Sequence, residues 1–289
     1  MRPPADDGLD APVLRVFADG PGGGNPCPVV VGAHGLDAPQ MQEVARRFGL
    51  ETAFVLPPTL AGCDVRLRYF VPNHEMEMCV HATVAALVLL ASRGSLSRGK
   101  VVVQSPLGAI DAHIEDDGSV AVDQFAPTVA EAHVTAADLG AALGCTPTAF
   151  TMRDTPRSVS VSRSKLLVEL DEATTLHALR PAPDRVAALC RRTQTTGLYP
   201  FAVSRDNPRA AWARQFPMDS GYPEDAATGL AAAALGVLLA TREHAPGTAS
   251  YDIHQGQAMG HPSRITVRIT RGDAAEIDRV TVVGTAEAD

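Results

Sequence analysis

The sequence predicts a protein of mixed strands and helices, α+β or α/β in class, that is built from two similar halves. Three observations support this: the length of the chain, the succession of β-rich runs and apolar helices, and an internal repeat. With 289 residues the chain is long for a single core, so two domains are the default expectation. We place them at residues 11–126 and 127–284, and we leave open that the last strands pack on the first domain.

Runs rich in β-branched and aromatic residues predict strands, and longer apolar stretches predict two helices in each half. In the first half, the predicted strands are Val13–Phe17, Pro28–Val31, Thr52–Leu56, Val65–Phe70, Lys100–Gln104 and Val120–Gln124, and the helices are Pro39–Phe48 and Cys79–Ser92. In the second half, the strands are Ser158–Val161, Leu166–Leu170, Leu198–Val203, Ala211–Phe216, Tyr251–Gln255 and Ile265–Ile269, and the helices are Asp184–Arg191 and Thr228–Thr241.

The internal repeat is a strand, a polar loop and the start of an apolar helix. Arg68–Phe70 followed by Cys79–Thr83 corresponds to Arg214–Phe216 followed by Thr228–Ala232. If the two halves pack face to face, both helix N-termini point into one cleft. Their free N–H groups and dipole ends then form an anion site, which suits a carboxylate substrate.

Composition excludes several classes of function. The net charge is −8, and no basic cluster is interleaved with aromatic residues, which gives no support for nucleic-acid binding. Five widely spaced cysteines predict neither a disulfide framework nor a zinc site. The apolar run Ala82–Leu90 is too short to span a bilayer, and the first ten residues are acidic rather than signal-like. We therefore expect a soluble cytoplasmic protein whose partner is a small molecule.

Glu51 and His81 are the first candidates for chemistry. Glu51 opens the apolar strand at Thr52, where desolvation would raise its pKa toward the range useful for acid/base work, although most strand-end glutamates are simply solvated. His81 lies at the start of an apolar helix, whose dipole should favour the neutral imidazole. It could donate a hydrogen bond to a substrate or merely pack.

Cys79 and the loop before the second helix are weaker candidates. A helix N-terminus lowers the pKa of a cysteine, so Cys79 could act as a thiolate base, but a small buried residue is the commoner role. The position that matches it in the repeat is Thr228, whose hydroxyl is a poor base, and this disfavours a two-thiol racemisation. Glu224 and Asp225 precede Thr228 and Gly229, where acidic residues are also common for dipole reasons alone.

A glycine-rich stretch, Gly20–Gly24, lacks the spacing of a phosphate-binding loop. We interpret it as a turn between strands, with Asn25 as a residue that could lie near the cleft.

Several of these segments together resemble the PhzF family, phenazine-biosynthesis-like isomerases on the diaminopimelate epimerase fold. The matching segments are Gly24–Pro26, Glu51–Val55, Cys79–Thr83, Phe216–Pro217, Glu224–Gly229 and Gln255–Ser263. The resemblance implies two similar domains, each a β-barrel around a central helix, with the active site between them and no cofactor or metal. A homodimer is left open.

The same resemblance implies roles for individual residues. Glu51 matches the acid/base glutamate, and His81 and Asp225 match substrate-contacting residues. Cys79 and Thr228 fall where epimerases of this fold carry two catalytic cysteines. Asn25, Val80, Gly229 and Leu230 complete the expected substrate-binding set.

Two positions depart from the family pattern. Val80 replaces a usual glycine and Leu230 a usual serine, so two small cleft residues have become bulky and apolar. We therefore expect a substrate with a hydrophobic or ring portion, other than the phenazine precursor. The branch of the family that handles unsaturated proline-like intermediates of antibiotic biosynthesis, such as 4-alkylproline units, is a candidate by analogy.

The predicted reaction is a one-base proton shift, with a double-bond migration, in a small amino or imino acid. Two alternatives remain open from the sequence: an epimerase or dehydratase that uses Cys79 as its base, and a metabolite-binding protein without catalysis.

Overall fold

The computed structural model describes residues 8–151, 155–243, 245–273 and 276–289. Within these residues the chain forms six α-helices and eighteen strands that pair into one connected sheet. Up to residue 131 the chain contains β1 (Val13–Val16), β2 (Asn25–Val30), α1 (Ala38–Phe48), β3 (Thr52–Leu56), β4 (Val65–Phe70), β5 (Glu75–Met76), α2 (Val80–Ser92), β6 (Gly99–Ser105), β7 (Gly108–Ile114), β8 (Val120–Asp123) and β9 (Thr128–Glu131).

The rest of the chain adds four helices, together with nine strands that extend this sheet. They are α3 (Ala136–Leu143), β10 (Arg157–Ser160), β11 (Lys165–Glu169), α4 (Ala173–Ala178), α5 (Pro183–Thr193), β12 (Gly197–Val203), β13 (Ala210–Ala213), β14 (Phe216–Pro217), α6 (Gly229–Ala240), β15 (Gly247–Gln255), β16 (Ser263–Arg271), β17 (Ile277–Gly284) and β18 (Ala286–Ala288). The fold class is therefore α+β, which is one of the two classes that the sequence predicted.

Two helices, α2 and α6, form the centre of the two halves. A helix that is apolar on all sides must be buried on all sides. This holds for α6, in which every residue is buried, and for most of α2. Helix α2 packs against β2, β3 and β8, whereas α6 packs against β10, β16 and β17. The predicted architecture, a sheet wrapped around a central helix in each half, is confirmed.

The last strands of the chain return to the first half. Strand β17 pairs with β8, so that Val282 lies opposite Val122, and β18 pairs with β1. The amide N–H of Arg264 donates to the carbonyl of Phe17, and that of Asp19 donates to the carbonyl of Pro262. Main-chain hydrogen bonds therefore join the two halves at several places; the domain boundaries themselves stay a prediction.

The predicted internal repeat has a counterpart in the side chains. Arg68 forms a bidentate ion pair with Glu75, at 2.7 and 2.6 Å, and Arg214 forms one with Glu224, at 2.8 and 2.7 Å. Each guanidinium also lies over a phenylalanine ring, at 5.1 and 4.9 Å. Both pairs tie the end of a strand to the loop that leads into a central helix, so the same contacts shape that loop twice.

Several element predictions need correction. The strand predicted over Ala211–Phe216 is two strands, β13 and β14, because the chain leaves the sheet at Arg214 and the side chain of that residue bonds to the carbonyls of Leu176 and Leu179. Phe17 lies outside β1 with a φ of 64°, which ends the strand at Val16. Strands β5, β7, β9, β17 and β18 and helices α3 and α4 were not predicted.

None of the helices in the described part of the chain is long and apolar enough to cross a lipid bilayer.

Candidate active site

The N-termini of the two central helices meet at one cleft. Cys79 caps α2, where its Sγ accepts a hydrogen bond from the N–H of Ala82 at 3.4 Å, and Thr228 holds the same position before α6. The backbones approach so closely that a Cβ added to Gly229 would lie 2.7 Å from the Cβ of Val80. Cys79, Val80, Thr228, Gly229 and Leu230 all line this cleft, as predicted.

Glu51 is the residue before β3, and it lines the cleft. It is only 9 % exposed, and its Oε2 lies 3.2 Å from Nδ1 of His81. Burial raises the pKa of the carboxyl, and this effect outweighs the hydrogen bond from Cys79 and the positive charges of Arg163 and Lys165, which oppose it. The raised pKa expected from the sequence is confirmed in direction and in cause.

His81 presents one nitrogen to the protein and the other to the cleft. Its Nδ1 contacts Glu51 and lies 3.2 Å from Sγ of Cys79, whereas the buried Nε2 finds no hydrogen-bond partner among the residues that the structure describes. Burial lowers the pKa of the imidazole, so the ring is neutral at neutral pH. The neutral form matches the prediction; desolvation by burial is its main cause, and the charge of Asp225 opposes the shift.

Asp225 lies across the cleft in the loop before α6. Its Oδ1 accepts a hydrogen bond from Nδ2 of Asn25 at 2.6 Å, and its Oδ2 accepts one from the hydroxyl of Thr228. Nδ2 of Asn25 also donates to the carbonyl of Ala227 at 2.9 Å, so Asn25 lies beside the site as predicted. Burial, followed by the charge of Glu51, raises the pKa of Asp225 to about 6.

Cys79 does not have the lowered pKa that its position suggested. The thiol is 3 % exposed, and burial, followed by the charge of Glu51, raises its pKa well above the usual value. The thiol form predominates because desolvation outweighs the hydrogen bond from the N–H of Ala82, so the lowered pKa expected at this helix N-terminus is wrong.

The cleft also contains residues that the sequence did not single out as site residues, among them Arg163, Lys165, Gln215 and Tyr222. Lys165 is the first residue of the apolar strand β11 and is 6 % exposed. This is the same signal that singled out Glu51, a charged residue that opens a buried strand. It could have identified Lys165 in the same way.

Three side chains of metal-ligating type lie together in the cleft. One donor atom each of Glu51, Cys79 and His81 falls within 4.8 Å of the others, and residues of these types can bind zinc. In the structure Nδ1 of His81 already contacts the other two side chains. The expectation of a site without metal or cofactor stays a prediction.

A buried carboxylic acid, a neutral imidazole with a nitrogen unpartnered among the described residues, a second carboxyl and two helix N-termini lie around one cleft, and groups of these types are capable of acid/base chemistry. Residues 14–288 match the PhzC-PhzF family model, described as phenazine biosynthesis-like protein, and the chain belongs to this family. This confirms the resemblance, and the relatives of the chain make the enzyme class that of an isomerase.

Two curated relatives and two solved structures illustrate the match. The isomerase YddE of Escherichia coli strain K12 is 31 % identical over 284 residues, or 94 % of each chain. The trans-2,3-dihydro-3-hydroxyanthranilate isomerase of Pseudomonas aeruginosa is also 31 % identical, over 96 % of this chain and 95 % of that protein.

A PhzF-family protein of Bacillus anthracis superposes with a TM-score of 0.87 at 23 % identity, covering 97 % of this chain and 96 % of the other. A hydroxyproline epimerase of Agrobacterium vitis superposes with a TM-score of 0.65 at 13 % identity, covering 96 % and 90 %. These two comparisons establish the fold, which is that of the diaminopimelate epimerase-like proteins.

Proposed function

We propose that the protein is a cofactor-independent isomerase that shifts a proton, and with it a double bond, within a small unsaturated amino or imino acid. The observation that carries the proposal is the position of Glu51. This residue is buried, the pKa of its carboxyl is raised, and it contacts the neutral His81 where the N-termini of α2 and α6 meet. A base of this kind can take a proton from carbon and hold it away from solvent.

The mechanism follows from the arrangement of the groups. The first N–H groups of α2 and α6 have no partners within their helices, so they bind the substrate carboxylate. Asp225 and Nε2 of His81 fix an amino, imino or hydroxyl group of the substrate.

Glu51 then removes a proton from an activated carbon. The electron pair of the broken C–H bond moves into the conjugated system, the double bond migrates, and the Glu51 carboxylic acid returns the proton to the far carbon. General acid/base catalysis supplies about 10²- to 10⁴-fold in rate, so orientation and anion binding must supply the rest.

The substrate class rests on two supports. The Pseudomonas aeruginosa relative is named for an isomerisation of trans-2,3-dihydro-3-hydroxyanthranilate, a cyclic amino acid. Val80 and Leu230 line the cleft with apolar side chains, and these residues are 1 % and 6 % exposed. We therefore propose a ring-containing substrate from a secondary-metabolite pathway of the 4-alkylproline or phenazine type.

The direct test is proton exchange. Cyclic and open-chain unsaturated amino acids are incubated with the protein in deuterium oxide, and the spectra are followed by ¹H NMR with heat-denatured protein as the blank. We expect deuterium to enter a carbon position only when the folded enzyme is present. Saturable binding of these acids without any exchange would instead indicate a metabolite-binding protein.

The exchange rate should depend on pH through the two coupled carboxyls. Glu51 acts as a base only when ionised, and burial raises its pKa, so the rate should fall as the pH drops through the raised pKa of this carboxyl. In Asp225→Asn a negative charge that opposes the ionisation of Glu51 is gone. The acid limb of the residual activity should therefore move to lower pH; an unchanged limb would show that the two groups do not interact.

The Cys79 alternative has a separate test, because hydroxyproline epimerases share this fold. In Cys79→Ser the side chain can still hydrogen-bond to Glu51, so we expect most of the exchange rate to remain if Glu51 is the base. Cys63→Ser is the matched control, since Cys63 does not line the cleft. Loss of exchange in Cys79→Ser alone would favour a thiol-dependent epimerase or dehydratase.

A further inference from the structure

Lys165 is an unpaired charge in the wall of the cleft. It is 6 % exposed, and within the described ranges its ammonium makes no hydrogen bond and lies within 4.0 Å of no carboxylate. Burial lowers its pKa to about 8, the neighbouring charge of Arg163 adds to this shift, and the charges of Asp225 and Glu51 oppose it. A buried cation without a partner is costly, so its presence calls for a counter-ion that arrives with a ligand.

The lysine is also unusual for this chain. Only two of the 25 basic residues are lysines, Lys100 and Lys165, and all the others are arginines. Lys100 is an exposed residue paired with Asp111 at 2.7 Å. Lys165 is thus the one lysine that lines the cleft, and its compact ammonium carries three hydrogen-bond donors.

Two neighbouring side chains add donors to the same wall. Arg163 lines the cleft, and the one ion pair found for it in the described ranges is long, 3.9 Å to Glu77. Gln215 also lines the cleft and is 1 % exposed, and neither of its amide atoms has a partner among the described residues. A Cβ on Gly197 would lie 2.2 Å from Nε2 of Gln215, so this glycine makes room for the amide. The wall therefore offers positive charge and unused hydrogen-bonding groups apart from the two helix N-termini.

We propose that Lys165 and Arg163, with Gln215, form a second anion subsite, and that the natural substrate is an unsaturated acid with two carboxylates. One carboxylate lies on the helix N-termini and the other on this basic wall. The proposal rests on the proposed function and narrows its substrate class to dicarboxylates. Holding the substrate at both ends would fix the carbon skeleton between them beside Glu51.

Lys165 has one alternative role, that of a counter-charge to the acidic groups of the cleft. Glu51 and Asp225 are the acidic groups of the cleft, and Lys165 interacts with both through space without touching either. If Lys165 served only as their counter-charge, replacing it would change the affinity for different ligands to the same extent. If it binds substrate, it discriminates between ligands by their charge.

Two probes that differ in one carboxylate separate these roles. trans-Glutaconate carries a carboxylate at each end of a five-carbon chain, and trans-2-pentenoate carries only one. By isothermal titration we expect the wild-type protein to bind glutaconate at least about 10-fold more tightly, as charge-assisted hydrogen bonds require. Lys165→Met should abolish this preference without changing the affinity for pentenoate, and Lys100→Met is the matched control that should keep it.

Equal affinities in the wild type, or no measurable binding of either acid, would overturn the proposal. A Lys165→Met substitution that weakens the binding of both acids equally would overturn it too. If Lys165→Met fails to fold, Arg163→Gln is expected to reduce the preference, and an unreduced preference counts against the subsite.

The same probes keep this inference separate from the proposed function. A 1,3-proton shift converts glutaconate into itself, so its uptake of deuterium reports proton transfer while titration reports binding. A glutaconate preference without deuterium uptake would count against the isomerase and support the subsite. Exchange with both acids at equal affinity would overturn the subsite alone.

Discussion

Gly229→Ala should destabilise the protein, although alanine is the better helix former. Alanine gains about 0.5–1 kcal/mol over glycine in a helix, whereas forcing an extra methyl group into a packed contact costs about 1–3 kcal/mol. At this position the new Cβ would meet Cβ and Cγ1 of Val80 at 2.7 and 2.8 Å, and both atoms belong to a buried, stiff side chain at the start of α2. We expect a net loss in the free energy of unfolding, measured by urea titration, and a slower exchange reaction because the two helix N-termini are pushed apart.

A double-mutant cycle assigns this loss to the contact with Val80. In a Val80→Gly background the methyl group that Gly229→Ala introduces has room, so the penalty of the substitution should disappear or turn into a small gain. Gly35→Ala is a control for the substitution itself, since an added Cβ at Gly35 meets nothing within 4 Å. Additive effects of the two substitutions would contradict the close approach of the helices.

Glu51→Gln should make the protein more stable at neutral pH. The folded-state pKa of Glu51 is raised above its unfolded value, so its contribution to stability is fully present below the unfolded pKa and is lost as the pH rises through the folded pKa. Glutamine has no ionised form to desolvate and lacks this loss. Urea titrations of both proteins from about pH 4 to 8 should therefore show curves that diverge as the pH rises. Parallel curves would contradict the raised pKa.

The same substitution should remove the activity. The glutamine side chain keeps the shape of the glutamate but cannot accept a proton, and general base catalysis contributes about 10²- to 10⁴-fold. A stable, folded variant with a rate lower by that factor would separate a catalytic role from a structural one. An unstable variant would not be expected, because the loss of a buried acid relieves a desolvation cost.

The parts of the site that could be predicted from the sequence are those that the repeat places together. Cys79 and Thr228 start equivalent helices, and the repeat already implied that both helix N-termini point into one cleft. Glu51 could be recognised because a charged residue that opens an apolar strand lies at the edge of the buried core, where its carboxylate is partly desolvated.

The rest depends on packing between residues that are far apart in the chain. The pKa of Cys79 is set by its 3 % exposure, and no local pattern encodes how deeply the opposite half covers it. Lys165 showed the same strand-opening signal as Glu51, but lysines are so rarely buried that the prior favours an exposed one. Short strands such as Thr128–Glu131, whose four side chains are all exposed, carry no alternating pattern to detect.

The central claim is that this cleft moves a proton through Glu51. Its most direct test is the initial rate of deuterium uptake by an unsaturated amino or imino acid in deuterium oxide, followed by NMR for the wild-type protein and Glu51→Gln at equal concentrations of folded enzyme. We predict steady uptake with the wild type and a rate at least about 100-fold lower with the variant, with substrate still bound. Equal rates for the two proteins would contradict the role of Glu51.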